Sequence, residues 1–233
     1  MKSESEVPQA EVHKPAPSFF QRVDRKWLVF WTVSIVSLVL DQATKIWARA
    51  ALPVHGHGSG PGGLCIVPDD LIATIATRGT GGVSCGGTPV PFINGYWEWR
   101  LSMNPGSAFG LFGSLGSSVT RVLLSIVGIA AVIGMVYMLR KSRADQRILH
   151  WALALVAGGA VGNLIDRVLQ GMVTDFVLWK YNTHEWPVFN VADVVLVVGV
   201  GLMFIDIQKE GKREKDKRKE RQAKAKQAGL VKQ

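Results

Sequence analysis

Two carboxylates stand out as chemistry bearers, Asp175 in VTDFVLW and Asp193 in FNVAD, because each lies at the edge of a long apolar run where ionised groups are costly. Brought together, two carboxylates cannot both ionise cheaply, so one holds a proton while the other acts as a base. That is the arrangement of an aspartic protease: the base activates water and the protonated partner donates to the scissile carbonyl. Such a pair titrates as a unit. The one GxSxG, at residues 82–86, lies in a Gly-rich connection without the strand-turn-helix setting of a serine hydrolase, and no HExxH occurs to suggest a zinc protease. Of the five histidines, His150 sits at one end of an apolar stretch, His184 in a connection, and His13, His55 and His57 in polar or Gly-rich segments. The residues imply neither a metal nor a cofactor.

The elements that must position these acids are apolar helices. Four stretches, near Trp27 to Ala48, Ser117 to Leu139, Ile148 to Leu169 and Val188 to Ile207, have the roughly 20 apolar residues needed to cross a bilayer. The first is too long for a signal-peptide core and carries Asp41 and Lys45 where a cleavage site would stand, which makes it a retained anchor. Arg22, Arg25 and Lys26 precede the first span, Arg140, Lys141, Arg143 and Arg147 follow the second, and a basic tail follows the fourth. The excess of Lys and Arg in these flanks predicts that both termini are cytoplasmic and that residues 49–116 and 170–187 face outward.

Helical rise then allows depths to be compared. At about 1.5 Å per residue, Asp41 lies about 21 Å from the inner edge at Trp27, and Asn163 and Asp166 lie about 22 and 27 Å from Ile148. Asp193 lies about 7 to 8 Å below the outer edge at Val188 by the same rise. Three spans thus place polar groups in the outer third of the membrane, which predicts one shared site opening outward. Simpler readings stand beside this one: Asp41 pairs with Lys45 at i, i+4, and Asp166 with Arg167 or a neighbouring helix. Asp193 has no basic residue in its own span, and Asp175 is its expected partner.

Composition agrees with a membrane protein, since 48% of the 233 residues are hydrophobic while the formal net charge is +9. From Lys209 to Gln233, eleven Lys or Arg face four Asp or Glu, or 11 − 4 = +7. This segment follows an apolar span and lacks interleaved aromatics, so it fits anionic lipid headgroups rather than nucleic acid. In the outer connection, Trp97, Trp99, Leu101 and Met103 alternate with polar residues, the period of a strand, and their aromatic face suits the membrane interface. Residues 55–87 are Gly-rich and read as a loop. Its Cys65 and Cys85 show no zinc-ligand spacing, and both a disulfide and two free thiols fit them.

Five segments in order, DQATK (41–45), NPGSAFG (104–110), GGAVGNLIDR (158–167), VTDF (173–176) and FNVAD (189–193), resemble the successive boxes of the signal peptidase II family. The resemblance implies an all-α membrane protein, a four-transmembrane-helix bundle with a small periplasmic β-structure. It implies a monomeric inner-membrane protease without cofactor, whose partners are membrane lipids and diacylglyceryl-modified prolipoproteins cleaved just before the lipidated cysteine. Carried onto matching positions, it makes Asp175 and Asp193 the catalytic dyad. Asp41, Asn104, Gly106, Asn163, Arg167 and Asn190 become substrate-binding, and Lys45, Asp166 and Ala192 structural support. Residues 1–26 and 208–233 are then cytoplasmic tails around a membrane domain at 27–207. The chain departs from the family in its long outer connection, in Met103 where many members carry Arg, and in its extended tail. The competing class is a small proton-coupled transporter, which needs polar residues continuing to the inner face; VLVVGVGLMFI supplies none.

Overall fold

The computed structural model describes residues 24–52, 89–104, 117–227 and 229. Its elements in chain order are α1 (Arg25–Ala51), β1 (Val90–Ile93), β2 (Trp97–Asn104), α2 (Ser117–Lys141), α3 (Arg147–Leu169), β3 (Val173–Tyr181), β4 (His184–Glu185) and α4 (Val191–Gln227). All four helices are long and apolar enough to cross a membrane. The expected four-helix bundle with a small β-structure is what the chain forms.

Helix α3 is central. Within its most apolar window 61% of residues are buried, against 17% in α1, 6% in α2 and 17% in α4, so the outer three turn most of their apolar surface away from the protein. Lipid tails are as apolar as leucine, so helices in a bilayer are held by close packing and polar bonds. Gly158 supplies the first on the α1 side: a Cβ there would come within 2.8 Å of the Ser34 carbonyl oxygen. Gly159 does the same toward α4, where a Cβ would meet the Ala192 carbonyl oxygen at 2.6 Å. Ser34 Oγ donates to the Ala154 carbonyl oxygen at 2.9 Å, a polar bond between α1 and α3. At one end of the bundle Phe30, Leu139, Leu149 and Leu153 form a core shared by α1, α2 and α3.

At the other end lies a four-stranded antiparallel sheet in the order β1-β2-β3-β4. The predicted strand at Trp97 to Met103 is β2. Strand β3 is not predicted, since VTDFVL sets two polar residues side by side among apolar ones and does not alternate. It is buried over Val173–Leu178, which explains the absence of a period of two. Register sets Ser102 opposite Asp175 and Asn104 opposite Val173, with a bulge between Trp99 and Ser102. Gly171, at φ +75, makes the turn from α3 into β3. The aromatic face of β2 is half-buried: Trp99 packs edge-on against Trp47 of α1 at 5.3 Å and stacks on Phe176 of β3 at 6.1 Å.

Two boundaries differ from the sequence-based expectation. The fourth helix begins at Val191, because Phe189 pairs with Val177 and holds the preceding residues extended. Asp193 therefore lies in its first turn, only about 3 Å along the axis from the start at 1.5 Å per residue. The same helix continues without a break for 37 residues, through most of the segment expected to form a separate tail. Its Lys, Glu, Arg, Ala and Gln content favours helix strongly. The α2–α3 turn clasps this extension, with Arg143 Nη2 donating to Glu210 Oε2 at 2.5 Å and Arg213 pairing with Asp145.

Candidate active site

Helix α1 carries a polar stripe, Ser34, Ser37, Asp41, Lys45 and Arg49, spaced three or four apart and facing the bundle. Lys45 is at its centre with no exposure. Its Nζ lies 2.8 Å from Asp41 Oδ2 and 3.3 Å from Asp166 Oδ2, and it donates to Asn163 Oδ1 at 2.9 Å. Three ammonium hydrogens thus meet three acceptors. Both readings of Asp41 and Asp166 as paired acids come down to this lysine, and Arg167 is not the partner of Asp166.

Each acid has a second task. Asp41 Oδ1 accepts from the Ala192 N–H at 2.9 Å, joining α1 to the first turn of α4. Asp166 Oδ2 accepts from the Thr174 N–H at 2.9 Å, fixing the start of β3. Asp41 and Asp166 are fully buried, as is Ala192. Gly162 makes room for this node, since a Cβ there would collide with the Asp41 carboxylate. Asp41 thus ties α1 to α4 directly and to α3 through Lys45.

Above the node sits the carboxylate pair. Asn190 and Asp193 form a reciprocal cap on α4: the Asn190 N–H donates to Asp193 Oδ2 at 3.1 Å, and the Asp193 N–H donates to Asn190 Oδ1 at 3.0 Å. Asn190 Nδ2 also donates to Asp175 Oδ1 at 2.7 Å, so one asparagine touches both acids. The other oxygens are held as well, Asp175 Oδ2 by Asn104 Nδ2 at 3.1 Å and Asp193 Oδ1 by Asn163 Nδ2 at 3.0 Å. Asn163 Oδ1 accepts from both Lys45 and Asn190 and so connects the node to the pair.

Electrostatics favour a proton on Asp175. Asp175 is 3% exposed; burial, and next the charge of Asp193, push its carboxyl up to about 7. Four carboxylates, Asp41, Asp166, Asp175 and Asp193, face three cations, Lys45, Arg49 and Arg167. The formal difference is 4 − 3 = 1, one negative charge in excess, which favours a proton on one of the two acids. Arg167 lies beside Asp193, Asp175 and Asp166, and its Nη1 reaches the Asn163 carbonyl oxygen at 3.4 Å. Its Nε is buried with no partner among the described residues.

The structure thus brings together Asp41, Lys45, Asn104, Asn163, Asp166, Arg167, Asp175, Asn190, Ala192 and Asp193. Gly106, Cys65 and Cys85 lie outside the described residues. Sequence reasoning misses Gln42, which donates to Asp41, Asp166 and the Gly162 carbonyl. It also misses Arg49, which donates to Thr174 Oγ1 at 2.8 Å. Arg49 stands four residues after Lys45, a spacing that could have revealed it.

Apolar spanning helices around a pair of carboxylates, one buried and one half-buried, define a membrane-embedded protease of the aspartic class. The chain belongs to the signal peptidase II family, matching the family model Signal peptidase (SPase) II over residues 33–209. It is 32% identical over 182 residues to the lipoprotein signal peptidase of Xylella fastidiosa (strain 9a5c), covering 76% of this chain and 87% of that one. It is 32% identical over 202 residues to the lipoprotein signal peptidase of Pseudomonas putida, covering 86% and 95%. A bacterial membrane enzyme solved at 2.3 Å superposes with a TM-score of 0.53 at 25% identity, covering 82% of this chain and 92% of the other. Family membership makes this chain a multi-pass bacterial membrane protease that removes signal peptides from prolipoproteins.

Proposed function

We propose that Asp175 and Asp193 are the catalytic dyad, cleaving the bond before the lipidated cysteine of diacylglyceryl-modified prolipoproteins on the outer face of the inner membrane. The observation that carries this reading is Asn190, whose side chain binds one carboxylate and whose backbone binds the other. Asp175, the deeper acid, holds the shared proton and gives it to the scissile carbonyl oxygen. Asp193, which keeps solvent contact, takes a proton from the attacking water. Asn104, Asn163 and Asn190 fix both acids, and Arg167 faces the substrate backbone. Lys45, Asp41 and Asp166 carry the scaffold. The outward opening rests on the basic residues at the other end of the bundle.

The test is mass determination of the product from a diacylated prolipoprotein incubated with the purified protein. Asp175→Asn and Asp193→Asn each abolish cleavage while membrane insertion persists, because an amide keeps the shape without the acid or base. Substantial turnover by either variant would sink the assignment. Polar positions on the inner halves of α1 and α4 are too few for the transporter reading.

A further inference from the structure

At the end of the bundle opposite the carboxylate pair, a cavity of about 160 Å³ lies between the first turns of α1 and α3, and the site already described makes no use of it. Arg25, Lys26 and Arg147 line it at the helix ends, and Val29 and Trp151, each four residues further along its helix, line it toward the membrane interior. Lys26 is engaged: its Nζ donates to the Ser142 carbonyl oxygen at 3.1 Å and pairs with Asp24, which also lines the cavity, at 3.8 Å. Arg25 and Arg147 form no ion pair among the described residues, so their two guanidinium groups are available.

We propose that this cavity binds the headgroup phosphate of an anionic phospholipid. Three observations converge. The volume is below the roughly 300 Å³ at which pockets enclosing a whole small molecule begin, so it takes a group and leaves the rest of its bearer outside. The order of residues is that of a lipid, with cations at the headgroup level and apolar side chains one turn deeper. The faces beside it, carrying Leu28, Trp31 and Trp151, are about half exposed and apolar, and acyl chains continue along them. Guanidinium groups bind phosphate through paired donors, and basic pockets between membrane helices favour anionic headgroups.

Native mass spectrometry of the full chain, released from micelles holding equal amounts of phosphatidylglycerol and phosphatidylcholine, tests this. The wild type retains phosphatidylglycerol with about a tenfold preference, as two arginines near a lipid surface supply. Arg25→Gln with Arg147→Gln removes the preference, while Arg213→Gln on the α4 extension keeps it. Prolipoprotein cleavage and the melting temperature in detergent report that the double variant is folded. Equal retention of the two lipids by the wild type, or a preference that survives the double variant, overturns the proposal. Displacement of the lipid by free glycerol phosphate at millimolar concentration assigns the cavity to a soluble phosphate and overturns it too. Should the double variant not accumulate, Arg25→Gln and Arg147→Gln singly each lower the preference, and a preference unchanged in both overturns the proposal.

Discussion

Asn190 and Asp193 cap one another across the first turn of α4, each backbone N–H donating to the other's side chain at 3.1 and 3.0 Å. A common helix-starting device thereby holds one of the two acids, and the same asparagine reaches the second. Asn190→Ala removes the side-chain half of the cap and one donor to Asp175. The loss of the cap costs about 1 kcal/mol of stability, and the loss of orientation lowers kcat about 10- to 100-fold. Melting in detergent and kcat, measured on one preparation, separate the two effects; a drop in stability alone would reduce Asn190 to a cap.

Lys45 lies between two buried carboxylates. Lys45→Met leaves Asp41 and Asp166 facing each other unpaired, which costs about 3–5 kcal/mol. Lys45→Met combined with Asp41→Asn costs less than Lys45→Met alone, because one of the stranded charges is gone. Thermal unfolding of the three chains checks the order, and a double variant no better than the single would show that the node does not act as one unit.

The Asp175 carboxyl is pushed up from 3.8 to about 7 by burial and by Asp193. Between those values the folded chain holds a proton that the unfolded chain has released, so stability from this group is complete at low pH and is lost as pH rises through about 7. Asp175→Asn flattens that part of the stability profile. Activity follows the same limb: above about pH 7 the pair loses its shared proton and kcat falls. A rate that keeps rising with alkalinity would assign the chemistry elsewhere.

Removing the two acyl chains from a substrate removes an anchor that holds its backbone over the pair. Burying several methylenes is worth on the order of 3 kcal/mol, so the unlipidated peptide is cleaved at least about a hundredfold less efficiently. The comparison is kcat/KM for both peptides in one detergent, and near-equal values would mark a general intramembrane protease.

Much of this architecture is legible in the amino-acid sequence. Apolar length alone marks the four spans, and helical rise predicts that Asp41, Asn163, Asp166 and Asp193 share a depth. What escapes is tertiary or local. Lys45 reaches Asp166 on another helix, which spacing within α1 cannot reveal. Strand β3 is hidden because its first six residues are buried on both faces, which leaves no solvent face to alternate with. The start of α4 is written in the residues themselves, since Asn-x-x-Asp before an apolar run is a capping signature. Apolar length places that start three residues early.

Every hydrogen bond that Asp175 and Asp193 accept among the described residues comes from an amide: the side chains of Asn104, Asn163 and Asn190, and one backbone N–H. Amides orient a carboxylate yet neither take nor release protons in ordinary water. Among the described residues, a proton on the pair therefore has the twin carboxylate and the solvent at Asp193 to exchange with, and no hydrogen-bonded side chain to pass to. A histidine in the place of any of the three asparagines would add a further titrating group to the pair.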